Sequence, residues 1–405
     1  MLRLSTFQQI RVFLYLFMTL LACSDAKKTT TQSSHSTSAT PIVSSLKYYN
    51  HFSFNNVYTL DLKIGGETIE AVLDTGSSNL LAIGDSKTCS GCVNEYGYSS
   101  VYTPSPTSQI IEGEAWSMDF APIGQATVHG YEDTVSFGGK TLDNYAFGVV
   151  TQEQGIPNIW GMAYATLAQP SGHGQLPLFD ALVENAGLKN VFSLRLCGLK
   201  GGSQVTMGGY DAGLSSQELA NVQWTPILQR VWYSVRLTSM YVSLNGTTAD
   251  WQWLPSSRDT VIVDSGTNPL VLPGTYVSSL VTVLMKIAND QGVSIPNSFW
   301  PTSTEKGGLA SISSSDVAKF PTIYLTMENF SNTKTSFKLS IAPSIYFQTA
   351  ENGQRFLGIQ PGSSIYLLGT VFMENYIVLH NRGTIASGTD PTAKLGFYPS
   401  SGFCK

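Results

Sequence analysis

The chain has 405 residues, 42% of them apolar, with 23 Lys and Arg against 28 Asp and Glu for a net charge of −5. Composition this ordinary buries a core and excludes a disordered chain; the 13% of charged residues contain no Lys/Arg stripe, which excludes nucleic acid as a partner. A single hydrophobic core stops growing at about 250–300 residues, so two lobes are expected.

Residues 1–22 begin with Arg3 and Arg11, carry no acid, and run into the apolar stretch 12–22. That is the pattern of an export signal, and it falls short of the about 20 apolar residues of a membrane span. The signal ends Leu20-Leu21-Ala22-Cys23-Ser24, which resembles the lipobox of bacterial lipoproteins, where the Cys becomes the lipidated N-terminus. The plainer alternative is a Cys buried or removed beside a cleavage site. Residues 23–46, rich in Ser and Thr, read as a low-complexity tether. The protein is expected to be exported: periplasmic or membrane-attached through lipid on Cys23 if bacterial, otherwise secreted.

Five Cys is an odd number for an exported chain, and setting Cys23 aside leaves four, enough for two disulfides. Cys89 and Cys92 form a C-x-x-C with no second C-x-x-C and no paired His to complete a metal site. A short loop disulfide is the favoured reading, and Cys197 and Cys404 then pair by elimination. No metal and no cofactor is expected.

From residue 47 onward short runs of Val, Ile, Thr, Tyr and Phe alternate with Gly, Asn, Asp and Pro, the texture of strands. Residues 57–64 and 68–73, joined by Gly65-Gly66, predict a β-hairpin. Apolar spacing predicts helices over 178–187, with Gly187 as a stop, and over 276–288. The expected class is all-β with a few short helices.

One pattern occurs twice. Ala71-Val72-Leu73-Asp74-Thr75-Gly76-Ser77 is echoed by Val261-Ile262-Val263-Asp264-Ser265-Gly266-Thr267. Each is followed downstream by two apolar residues and a Gly: Ile159-Trp160-Gly161 and Leu367-Leu368-Gly369. Duplication of one lobe explains both matches. An Asp ending an apolar strand is costly to desolvate unless partners offset it. Gly76 and Gly266 let the backbone turn tightly, so that amides can point at the carboxylate, and hydroxyls follow at Ser77 and Thr267. One such triplet alone is an ordinary Asx-turn; two in matched settings point to a paired site.

With these residues the chain resembles the pepsin-type aspartic proteases, whose two lobes each donate one Asp from a D-[TS]-G loop. The resemblance spans residues 48–405, including 158–164, 190–198 and 366–381. The stretch Phe192-Ser193-Leu194-Arg195-Leu196-Cys197-Gly198, with a Cys near the C-terminus, is similar to the memapsin-like branch. What the resemblance implies is a bilobal all-β fold with catalytic lobes at 47–202 and 203–405. It further implies a monomeric endopeptidase that binds peptide or protein and cuts between apolar residues at acid pH. Asp74 and Asp264 would share one proton and activate a water, either one serving as the base. Thr75 and Ser265 would cross-brace the loops, and Ser77 and Thr267 would hydrogen-bond the outer carboxylate oxygens.

Two features depart from the family. Aligning 116–135 on the flap hairpin that covers the cleft puts Phe120 at its usual Tyr, with a one-residue insertion near Ile123, and Leu81 stands where the Trp partner is common. Losing both partners together can be nearly neutral, which favours a competent flap with an apolar underside over a degraded flap on an inert protein or a different alignment of this hairpin. Only 24–45 precedes the first core strand, with no apolar pattern to dock in a cleft, which resembles the prosegment-free bacterial homologues of the shewanasin type. The rival reading is an inert or weak binding protein on the same scaffold; both triplets are intact. Gly139-Lys140-Thr141 reads as a turn rather than a phosphate loop, the five His as surface or linker residues, and Asn245-Gly246-Thr247 and Asn329-Phe330-Ser331 as sequons that matter only in a eukaryote.

Overall fold

The expected hairpin forms: Asn55–Ile64 pairs antiparallel with Glu67–Asp74 in the register Thr59↔Val72. Its turn residues Gly65 and Gly66 sit at φ 59° and 93°, left-handed positions that glycine fills without strain. The computed structural model that shows this describes residues 39–51, 55–89, 92, 100–120, 124–153, 155–170, 176–256, 260–362, 365–383 and 391–405. The expected signal, Cys23 and the tether as far as residue 38 lie outside the described residues. Residues 42–45, also assigned to the tether, instead form the strand Ile42–Ser45, because Ile42 and the following Leu46 are buried.

The hairpin belongs to an eight-stranded sheet built wholly from the first half of the chain. The second half supplies a five-stranded and a four-stranded sheet. Between them, a six-stranded sheet draws on both halves: Val191–Arg195 pairs with Gln204–Met207 on one side and with Tyr376–Asn381 on the other. The division expected at 202/203 falls inside this shared sheet, in the turn between two of its strands. One apolar core cluster includes residues from both halves.

Helices are few and mostly short. Leu178–Ala186 ends at Gly187, whose φ of 71° makes the predicted left-handed stop. Gly274–Asp290 buries Val277, Leu280, Val281, Leu284 and Ile287, one face of a helix, against strands Ile359–Gly362 and Thr247–Trp253. Among the described residues no helix is long and apolar enough to cross a membrane. Cys89 is joined to Cys92 and Cys197 to Cys404. Gly138 and Gly139 form a turn and Lys140 begins the next strand, so the phosphate-loop mimic is a hairpin.

The histidines need correction. His380 is wholly buried, stacked on Phe192 at 4.1 Å, and burial followed by the nearby Arg382 lowers it to about 3, so it stays neutral. It is a core residue rather than a surface or linker one.

Candidate active site

The repeated pattern folds into repeated geometry. Glu67–Asp74 runs parallel to Ile159–Gly161, with Asp74 opposite Gly161, and Ile159–Gly161 runs antiparallel to Leu80–Ile83. In the second half Val261–Val263 runs parallel to Tyr366–Leu368, which runs antiparallel to Leu270–Pro273. The downstream glycines have a steric reason. A Cβ at Gly161 would overlap the backbone of Ser78 and Asn79, and one at Gly369 the carbonyls of Thr267, Asn268 and Pro269. Each loop is therefore pressed against its partner strand, and Met162 N–H donates to the Asp74 carbonyl at 2.7 Å.

The two loops brace one another. Thr75 donates its N–H to Ser265 Oγ at 3.0 Å and its hydroxyl to the Val263 carbonyl at 3.0 Å. Ser265 returns its N–H to Thr75 Oγ1 at 2.9 Å and its hydroxyl to the Leu73 carbonyl at 2.6 Å. Four bonds thus tie the halves together beneath the carboxylates, all in buried surroundings, where hydrogen bonds are strongest.

Asp74 and Asp264 are each nearly buried, at 8% and 7% exposure. Gly76 N–H donates to Asp74 Oδ1 at 2.7 Å and Gly266 N–H to Asp264 Oδ1 at 2.8 Å. The Ser77 hydroxyl donates to Asp74 Oδ2, and the Thr267 hydroxyl to Asp264 Oδ2 at 2.7 Å. Neither glycine has a positive φ. A Cβ on Gly76 would fall on the Asp264 carboxylate, and one on Gly266 on the Asp74 carboxylate, so glycine is required to let the opposing acid approach. Burial pushes the Asp74 carboxyl well above the usual range and neighbouring Asp264 pushes it further, while Ser77 and Gly76 pull it back.

The sequence profile of the family described as eukaryotic aspartyl protease matches residues 57–390. The chain belongs to this family. It is 28% identical to Pepsin-2B of Gadus morhua over 349 residues, 81% of this chain and 93% of the relative. It is 26% identical to Gastricsin of Mus musculus over 79% of this chain and 76% of the relative, and 26% identical to Pepsin A of Rhinolophus ferrumequinum over 85% and 83%.

In this aspartyl protease a cleft of about 600 Å³ opens over the pair, walled by both halves. The hairpin Gln109–Phe120 and Gly124–Phe137 supplies Ser117, Met118 and Asp119 to it. Phe120 ends the first of these strands; its side chain, like residues 121–123, lies outside the described residues. Leu81 is buried with Val128, Val150 and Ile159, and Trp116 and Met118 pack on that cluster, so the underside of the hairpin is apolar. Sequence reasoning missed Met118, Asp119 and Trp232. The Trp232 indole lines the cleft and donates to the Gly76 carbonyl at 3.1 Å. No local pattern marks these three, since what unites them is proximity across the fold.

Proposed function

We propose that the chain is an aspartic endopeptidase whose catalytic pair is Asp74 and Asp264. One observation carries this: two nearly buried carboxylates, one from each half, are held by the same amide and hydroxyl bonds and face one cleft. Two carboxylates this close cannot both ionise cheaply, so they share one proton, as aspartic-protease dyads do. The ionised member takes a proton from a water as that water attacks the peptide carbonyl. The protonated member donates to the carbonyl oxygen, and a proton then passes to the departing amine. The matched surroundings make the two titrate as a unit, so the base is a property of the pair.

An extended peptide fits a cleft walled from both halves, with apolar residues at the scissile bond against Met118, Ile365 and Leu367. Hydroxyl donors on both outer oxygens favour the singly ionised dyad and hence action at acid pH. The Cys197 to Cys404 bond supports the memapsin-like reading, and both disulfides suit an exported protein.

Asp74→Asn and Asp264→Asn are each expected to lower kcat by several orders of magnitude while the melting temperature holds. Peptide cleavage inhibited by pepstatin in the wild type, and absent from both variants, is the supporting result. Full activity in either variant overturns the assignment, and a folded wild type that binds peptide without cutting it is a binding protein on the same scaffold.

A further inference from the structure

Among the described residues, the charged side chains that line the cleft are Asp74, Asp264 and Asp119, with no Lys, Arg or His. The first two are committed, their oxygens held by the loop amides and hydroxyls. Asp119 differs. It is exposed near the tip of strand Gln109–Phe120, opposite Gln125, and among the described residues no hydrogen bond or ion pair holds its carboxylate. An unpaired carboxylate therefore stands in the cleft wall, which it shares with the apolar Met118, Ile365 and Leu367 and with uncharged polar residues such as Ser117 and Gln169.

We infer that Asp119 makes this protease select peptides that carry a Lys or Arg close to the apolar residues at the scissile bond. The inference rests on the endopeptidase reading and names the substrate class for that site. A working dyad carries one negative charge, so with Asp119 the charges of the described lining have a single sign, which raises the local concentration of cations. An acidic substrate side chain meets only like charge among the charged groups of the described lining and is disfavoured. Among the charged groups of the described lining, Asp119 is the one open to a cationic side chain, because reaching the dyad would displace the groups that react. Arg gains most, since its planar fork offers two parallel N–H donors to one carboxylate. The apolar residues at the scissile bond and the nearby cation are complementary requirements, met by different parts of the wall.

The test uses peptides that share an apolar pair at the scissile bond and carry Arg, Gln or Glu at each flanking position in turn. For the wild type, kcat/KM at the sensitive position should favour Arg over Gln by about fivefold and Gln over Glu similarly, with the spread shrinking at high salt. Asp119→Asn should level the series, and Asp119→Lys should invert it; the residue is exposed, so both variants are expected to fold. Cleavage with no charge preference, or with a preference that survives Asp119→Asn, overturns the inference and leaves the endopeptidase reading standing. A wild type that cuts none of the peptides fails on the endopeptidase reading, and the inference falls with it.

Discussion

Single hydrogen bonds tune protonation at the dyad. Burial and the facing Asp264 drive Asp74 toward its neutral form, and the Ser77 hydroxyl opposes them. Ser77→Ala removes a charge-assisted bond of about 1.5 kcal/mol, equivalent to about one pH unit. The first proton then leaves the pair at higher pH, so the acid limb of the kcat/KM profile should rise by about one unit. Thr267→Ala should act in the same direction, because Thr267 stands to Asp264 as Ser77 stands to Asp74. An acid limb that stays put in both variants would remove these hydroxyls from the dyad's network. At this scale the sequence was legible where chemistry demanded a fixed set of neighbours, as for each Asp and its following hydroxyl. It was incomplete at Gly76 and Gly266, whose amides do reach the carboxylates but whose steric partner is an acid from the other half of the chain. Asp119 and Trp232 were illegible for the same reason: a wall residue is defined by what it faces.

Elements were read well where a period governs them. The hairpin at Gly65-Gly66 and both longer helices follow directly from alternation or from i, i+3, i+4 spacing. Strand Ile42–Ser45 was missed because its Ser-rich composition hides a strand anchored by Ile42. Glu374, just after the helix Thr370–Met373, was also unmarked, since its main partner lies 316 positions away. Its carboxylate accepts from Tyr58 at 2.7 Å, and Tyr58 in turn accepts from Gly198 N–H at 2.8 Å. Gln348 lies within 3.5 Å of Glu374 and accepts from Asn56, so strands from both halves converge on one acid. Burial raises Glu374 from 4.5 to about 7, with Tyr58, Gln348 and Lys200 opposing the rise. A carboxyl raised by folding holds its proton in the folded state. Its stabilising effect is complete below the ordinary Glu range and is lost as pH climbs through about 7. The melting temperature should therefore fall between about pH 4.5 and 7, and Glu374→Gln should make that fall shallower, leaving the part due to Asp74. Equal slopes for the two proteins would rule Glu374 out as the titrating group.

Across the whole molecule, the duplicated motif foretold two matched strand triplets, and the family resemblance a Thr75–Ser265 brace between them, but neither foretold the sheet that the halves share. The joint is a shared six-stranded sheet, and beside it a buried ion pair between Arg382 and Asp180, with side-chain exposures of 1% and 4%. Arg382 also donates to the Asn190 side chain at 3.3 Å and to the Ala163 carbonyl at 3.2 Å, and its guanidinium lies over the Tyr164 ring at 4.7 Å. Ala163 N–H in turn donates to the Ser77 carbonyl at 2.8 Å, so the cation reaches within two residues of the dyad loop. A buried pair adds little over a well-packed apolar replacement, yet removing one member leaves the other charged and unpaired, at a cost of about 3–5 kcal/mol. Arg382→Met should thus lower unfolding stability by about that amount, measured by denaturant unfolding. Arg382→Met combined with Asp180→Leu should recover a large part of the loss, since no charge then remains to be desolvated. A double variant whose loss equals the sum of the two single losses would mean the residues act independently, and the ion pair would not be what fastens the second half to the loop that carries Asp74.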